Sequence, residues 1–321
     1  MAEILTITMN PSIDVSTSVD RVIPSRKLRC GPSRRDPGGG GINVARVAKR
    51  LGGNVVALYT SGGPRGALLT RLLHEEGIEG TAVRIEDDTR EDFTVDDISA
   101  DSQFRFVSPG PHLQEGEWLA ALDTIKGYTE KFDYIVASGS LPPGAPDDFY
   151  ARVAEIAREN GIPFALDASG APLKAAMAAG GIDLLKPSLR EMRELTGLPL
   201  NDMISCAAAC RRFVEEGKAK YIALTLGGRG AILIGALEAW IAFPIPVHAV
   251  STVGAGDSFL AGMICALAAG KSHEAAFRRG VAAGSAALLA AGTQLCRLSD
   301  VDALEKNAHL DRMPDSKVDE V

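Results

Sequence analysis

Residues Ser251 to Met263 read STVGAGDSFLAGM, and they carry the strongest chemical signal in the chain. Gly254 and Gly256 permit a turn in which backbone N–H groups converge, and the apolar run after Asp257 makes that turn a helix start. Such a turn attracts anions, because the first N–H groups of a helix are unpaired and its dipole favours negative charge. An Asp at this place can take a proton from an attacking hydroxyl while the N–H groups steady a phosphoryl group in transit. Taken alone, Asp257 could equally be a helix cap. A second signal is PGGGGINVARVAKRLGG, Pro37 to Gly53. Its four successive glycines let a ligand approach the backbone closely, and Asn43 follows as a polar reader at the opening of a helix. The alternative for this segment is a plain glycine hinge. It is not a Walker loop, since the GK[ST] ending is missing, nor a dinucleotide fingerprint, since no GxGxxG follows the first strand.

The elements that must position these turns alternate along the chain. Ile4 to Met9, Val55 to Tyr59, Tyr134 to Ala137, Phe164 to Asp167, Leu184 to Lys186 and Tyr221 to Leu226 are short apolar runs that read as buried strands. Helical spacing separates them at Asn43 to Leu51, Gly66 to Glu76, Asp148 to Asn160, Leu189 to Thr196 and Ser205 to Glu216. This alternation predicts an α/β fold with a mostly parallel sheet between two helical layers. Ala-rich helical patterns dominate from Asp257 to Asn307. Residues 12–37 and 88–110 instead alternate polar and apolar side chains (Val15, Thr17, Val19; Phe93, Val95; Phe104, Phe106). They predict a small β-sheet lid, inserted twice into a core formed by 1–11, 38–87 and 111–309 and lying over the carboxyl edge of the main sheet. The acidic tail, 310–321, is expected to fray.

Composition narrows the partners. The 321 residues are 46% hydrophobic, enough for a large core, and the net charge of −7 disfavours nucleic acid and anionic membranes. Five cysteines (Cys30, Cys206, Cys210, Cys265, Cys296) form an odd set without metal-ligand spacing, as expected of reduced thiols in a cytoplasmic protein. The first residues read as a strand, not a signal peptide, and no apolar stretch is long enough to span a bilayer.

Together the two glycine motifs, in this order and spacing, resemble the PfkB/ribokinase family of carbohydrate kinases over nearly the whole chain. NPSID (Asn10 to Asp14), KLRC (Lys27 to Cys30), TREDFTV (Thr89 to Val95), FRFVSPG (Phe104 to Gly110) and SGSLPPG (Ser138 to Gly144) are similar to its phosphosugar branch, that of the minor bacterial 6-phosphofructokinase isoenzyme. The resemblance implies a ribokinase-like three-layer α/β/α fold and ATP-dependent phosphorylation of a phosphorylated ketohexose, fructose 6-phosphate first among them. It implies Asp257 as general base and Gly254, Ala255 and Gly256 as the anion hole. It places Asp14, Gly39, Gly40 and Asn43 on the sugar hydroxyls, and Lys27, Arg29 and Arg90, with Ser140 nearby, around the sugar's phosphate. Three cations suit a phosphate dianion better than a neutral sugar. Arg105 is expected to be solvated or at a subunit contact. On the ATP side the resemblance puts Lys186, Thr225, Gly227 and Gly230, with Ala283 and Gly284 making room for adenine or simply packing two helices.

Two departures stand out. The family's NxxE metal motif reads SLRE here, with Ser188 in the Asn position and Glu191 retained, so Mg²⁺ is expected to rely more on Glu191 and water. Gln294 replaces an Arg common in close relatives, beside the family's monovalent-cation loop, so K⁺ activation is implied with an altered neighbour. Tagatose 6-phosphate and fructose 1-phosphate remain alternative acceptors, and a phosphosugar-binding sensor without turnover is the reading outside enzymes. The open apolar face of the lid predicts a homodimer formed lid to lid.

Overall fold

Apolar runs without a helical period become strands that are covered on both faces. The computed structural model describes residues 3–128 and 132–313. Strands β1 (Glu3–Thr8), β4 (Asn54–Ser61), β5 (Glu79–Arg84), β8 (Tyr134–Ser138), β9 (Phe164–Asp167), β10 (Ile182–Leu185) and β11 (Ala219–Thr225) pair in parallel in the order β5-β4-β1-β8-β9-β10-β11. Antiparallel strands β12 (Ala231–Gly235), β13 (Ala239–Ala242) and β14 (Leu310–Arg312) extend the β11 edge. Successive side chains of β1 and β8 face opposite cores, as the two-residue period requires. Leu5, Ile7, Ile135 and Ala137 pack under α3 (Glu115–Tyr128), α4 (Phe149–Glu159), α5 (Gly170–Ala179), α6 (Leu189–Thr196) and α7 (Met203–Glu215). Ile4, Tyr134 and Val136 pack under α1 (Gly40–Arg50), α2 (Gly63–Glu75), α8 (Ala255–Ala268) and α9 (His273–Ala287). This is the three-layer α/β/α arrangement expected from the alternation.

A separate four-stranded sheet forms from the two stretches that lacked a helical period. Its order is β3 (Arg34–Gly38), β2 (Ser12–Val19), β6 (Arg90–Asp97), β7 (Ser102–Phe106), with β2 and β6 parallel and the outer pairs antiparallel. Phe93 opposes Phe106 and Val95 opposes Phe104, so these apolar side chains share one face. Phe93, Phe104 and Phe106 are all exposed.

Three details correct the sequence reading. Helix α1 starts at Gly40, three residues before the expected Asn43. The glycines make this possible: a Cβ on Gly41 would lie 2.4 Å from the Ile7 carbonyl oxygen, so only glycine lets the first turn rest on β1. Leu310–Arg312 is a strand paired with β13, not the beginning of a frayed tail, because Met313 N–H donates to the Ala239 carbonyl and closes the ladder. Residues 314–321 lie outside the described residues. Strands β5, β12 and β13 and helices α3 and α5 were not expected; β5 buries little more than Val83 and β13 is four residues long. Among the described residues no helix is long and apolar enough to cross a membrane.

Candidate active site

The carboxyl ends of β1 and β8, the start of α1 and the start of α8 meet beneath the small sheet. The small sheet and the starts of α1 and α8 enclose a cavity of about 290 Å³ lined by residues that include Asp14, Gly39, Gly40, Asn43, Arg90, Gly254 and Asp257. Close backbone approach builds it. A Cβ on Gly40 would lie 2.4 Å from Ser138 Oγ, and one on Gly39, which has φ +108°, would lie 2.8 Å from Thr8 Cγ2. Any other residue at these two positions would push the loop off the sheet. A larger hollow of about 840 Å³ lies beside Ser61, Arg84 and Glu117. It is lined by Glu86, Glu117 and the glycine start of α2 but by none of Asp257, Asn43 or Gly254, so the chemistry singled out in the sequence points to the smaller cavity.

Gly254 enters the first turn of α8 with φ +71°, the left-handed conformation that glycine tolerates. Asp257 then stands in that first turn, and Asn43 Nδ2 donates to its Oδ2 at 2.9 Å across 214 residues of sequence. Burial, reinforced by the charge of Asp167, raises the Asp257 pKa to about 6, while the Asn43 hydrogen bond and Lys186 act in the opposite sense. A carboxylate with that proton affinity is poised to accept a proton near neutral pH. Asp14 accepts from Ser12 Oγ at 2.6 Å, and burial holds its pKa above the ordinary value. Asn43 keeps a buried Oδ1 without a partner, and Arg90 a buried Nε. Unmet polar atoms at the edge of a cavity suit a polar ligand.

Lys186 follows β10 and is nearly inaccessible, with Nζ 3.0 Å from Asp167 Oδ2. Burial alone would lower its pKa, but the Asp167 carboxylate outweighs burial and keeps Lys186 cationic. A Cβ on Gly256 would lie 3.4 Å from this ammonium, so the cation stands beside the anion turn. Thr225, at the end of β11, donates through N–H to the Pro187 carbonyl, which keeps it next to Lys186. A 3₁₀ turn, Gly227–Arg229, follows, and Gly230 (φ +93°) closes it. Ala283 is fully buried, and a Cβ on Gly262 of α8 would touch its methyl, so Ala283 packs two helices. Gly284 likewise allows α9 to approach α8, since its Cβ would lie 3.2 Å from the Ala255 carbonyl oxygen.

Other expected site residues are placed differently. Lys27 and Arg29 lie exposed in the loop between β2 and β3 and do not line the cavity. Ser140 is exposed, and its Oγ accepts from Asn10 Nδ2 at 3.0 Å. Arg105 is exposed on β7, as a solvated side chain was expected to be, and it also borders the cavity. Ser188 and Glu191 form a capping box on α6. Ser188 N–H donates to Glu191 Oε2 at 2.7 Å, and Ser188 Oγ accepts from Glu191 N–H at 3.3 Å. The S-x-x-E spacing announces this box directly, a signal that the metal-motif reading passed over. Asp167, Ser12 and Asp92 were also missed. Asp167 was legible as an acid closing a buried strand, and Ser12 as the i−2 neighbour that shares the Asp14 face.

Comparison with known proteins identifies the family. The family model for pfkB family carbohydrate kinases matches residues 4–300. The ATP-dependent 6-phosphofructokinase isozyme 2 of Mycobacterium tuberculosis (strain ATCC 25618 / H37Rv) is 44% identical over 93% of this chain and 88% of its own length. The enzyme of the same name from Escherichia coli (strain K12) is 38% identical over 95% and 98%. A 1-phosphofructokinase from Xanthomonas campestris pv. campestris is 31% identical, over 93% of this chain and 92% of its own. The crystal structure of E. coli phosphofructokinase-2 in complex with fructose-6-phosphate superposes with a TM-score of 0.90 at 36% identity, covering 96% of this chain and 99% of that one. A structure of the same E. coli protein in complex with potassium gives 0.91 at 37% identity, over 96% and 99%. The family model over nearly the whole chain and these relatives show that the chain belongs to the pfkB family of carbohydrate kinases.

Proposed function

We propose that this kinase transfers the γ-phosphoryl group of ATP to the C1 hydroxyl of fructose 6-phosphate, giving fructose 1,6-bisphosphate and ADP. The observation that carries this reading is Asp257, a carboxylate of raised proton affinity in the first turn of α8, within the cavity that also holds Arg90. The Mycobacterium and E. coli relatives of the same name lend it support. Asp257 takes the proton of the C1 hydroxyl as that oxygen bonds to the γ-phosphorus. The bond from that phosphorus to the β–γ bridging oxygen breaks, and its electron pair stays on ADP. Asp14, Gly39, Gly40 and Asn43 hold the sugar hydroxyls, and Arg90 and Ser140 hold its phosphate. The N–H groups of Gly254, Ala255 and Gly256 stabilise the moving phosphoryl oxygens, with the Lys186 ammonium beside them. Thr225, Gly227 and Gly230 flank the nucleotide.

Among the described residues no group of three or more His, Cys, Asp or Glu is arranged to hold a metal ion. Mg²⁺ arrives with the phosphates of ATP, and the hard carboxylate oxygen of Glu191 suits it through water. K⁺ is retained as an expected activator near Gln294. The exposed phenylalanines of the small sheet support a homodimer in which a second copy covers that face and the sheet serves as a lid. Cysteines that are all free among the described residues support a cytoplasmic location.

The test is ADP release on a panel of fructose 6-phosphate, fructose 1-phosphate, tagatose 6-phosphate and unphosphorylated fructose. Fructose 6-phosphate should show the highest kcat/KM. Preference for fructose 1-phosphate would favour the activity named for the Xanthomonas relative, and binding without turnover would make the protein a sensor.

A further inference from the structure

Three chain segments converge on Asn10, so far described only as the hydrogen-bond partner of Ser140. Asn10 follows β1 and is only 7% exposed. Its Nδ2 donates to Ser140 Oγ at 3.0 Å, in the segment that follows β8. Its backbone carbonyl accepts from Arg90 Nη2 at 3.2 Å, at the start of β6. Gly110, after β7, lies against its amide so closely that a Cβ there would sit 2.4 Å from Asn10 Oδ1. The second arm of the Arg90 fork, Nη1, donates to the Ser108 carbonyl at 3.2 Å and lies 3.1 Å from Asp92 Oδ2. Ser108 N–H in turn donates to Asp92 Oδ1 at 2.8 Å. Asn10 is thus the residue through which Arg90, Ser140 and the exit of the small sheet share one geometry.

Two polar atoms in this cluster are buried without a partner: Asn10 Oδ1, an acceptor, and Arg90 Nε, a donor. Buried polar groups are almost always paired, so two unpaired atoms of opposite kind in one cluster suit a polar ligand. A ligand carrying both a phosphate oxygen and a hydroxyl supplies the two missing partners.

We propose that Asn10 is a positioning and specificity residue for the phosphate end of the acceptor, locking Arg90 and Ser140 into one anion-binding cluster. The inference rests on the phosphosugar reading above, and it concerns the phosphate, whichever phosphosugar the enzyme prefers. It sets Asn10 apart from Asp14 and Asn43, which address the reacting end of the sugar.

The decisive variant is Asn10→Asp. It preserves shape and replaces the bond Asn10 donates to Ser140 Oγ by one that a carboxylate accepts from the Ser140 hydroxyl, but it places a negative charge beside the acceptor's phosphate. The KM for the preferred phosphosugar should rise by more than about tenfold, as for a lost charged hydrogen bond, with the ATP KM moving less than about twofold. Asn10→Ala should raise the same KM by about three- to tenfold, as for one neutral hydrogen bond. Combining it with Ser140→Ala should add little further, because each change breaks the same pair. Thermal melting of each variant separates positioning from folding, since a purely structural Asn10 would lower the melting temperature and disturb both substrates alike. An unchanged phosphosugar KM in Asn10→Asp, or effects of Asn10→Ala and Ser140→Ala that simply add, overturns the assignment while the phosphosugar reading stands. A wild-type enzyme that prefers unphosphorylated fructose overturns both, and that result is read before any variant is made.

Discussion

Removing the Asn43 side chain, which hydrogen-bonds Asp257, should move the acid limb of the pH profile upward. Asn43 Nδ2 donates to Asp257 Oδ2 at 2.9 Å and opposes the burial that raises this carboxyl to about 6. A hydrogen bond to a charged group contributes about 1.5–3 kcal/mol, and one pKa unit corresponds to about 1.36 kcal/mol. Loss of the bond would shift the pKa by about one to two units, and water entering the vacated space should hold the shift near the lower figure. The sign is fixed by the chemistry: the bond favours the carboxylate, so in Asn43→Ala the proton leaves at higher pH. Turnover requires the deprotonated base, so activity in the variant should begin to fall about one pH unit above the wild type. The assay is kcat/KM for fructose 6-phosphate from pH 5 to 9, with ATP saturating. The sugar phosphate itself titrates near pH 6, so the position of the wild-type limb does not identify the base. That ionisation is common to both proteins, and the displacement between their limbs belongs to the enzyme. A variant whose limb stays in place, or moves to lower pH, would refute the coupling of Asn43 to the base.

Arg90→Ala should raise the KM for fructose 6-phosphate by about ten- to a hundredfold, from the loss of a charged contact of about 1.5–3 kcal/mol, and leave the ATP KM within about threefold. Steady-state kinetics with each substrate varied will show it. Ser188→Ala should cost about 1 kcal/mol of stability, because it removes the α6 cap, whereas Ser188→Asn keeps a capping oxygen and should melt close to the wild type. Asp257→Asn should stabilise the protein at neutral pH. A carboxyl raised from 3.8 to about 6 binds its proton more tightly when folded, so its ionisation costs about 3 kcal/mol above pH 6, and that cost vanishes below pH 3.8. Denaturant melts should show the variant's advantage at pH 7 and its disappearance at pH 3.5.

Much of this molecule was legible before its structure, and the reasons are physical. The parallel strands are buried on both faces and therefore read as unbroken apolar runs, as in Phe164 to Asp167. The small sheet betrayed itself through the alternation of Val15, Thr17 and Val19. Gly39, Gly40 and Gly254 were legible because close backbone contact and positive φ leave few other residues possible. What escaped notice depends on contacts far apart in the chain. The bond from Asn43 to Asp257 spans 214 residues, and no local pattern records it. Asp167 acquires its meaning only when β9 and β10 lie side by side and bring Lys186 within 3.0 Å. Lys27 and Arg29 were placed at the sugar's phosphate by the resemblance, yet a motif does not say which way a loop runs, and in this chain both are exposed and do not line the cavity. Ser188 shows the reverse case. Its capping box was written locally in SLRE, but the metal motif it resembled drew the reading elsewhere.

The claim on which the account depends is that Asp257 removes the proton from the attacking hydroxyl. Asp257→Asn retains shape and hydrogen-bonding capacity and loses only the base. Single-turnover phosphoryl transfer to fructose 6-phosphate, measured alongside calorimetric binding of ATP and of the sugar phosphate, isolates that loss. Both substrates should bind within about threefold of the wild-type affinity, and the transfer rate should fall by about 10² to 10⁴. Near-normal transfer by Asp257→Asn would contradict the account.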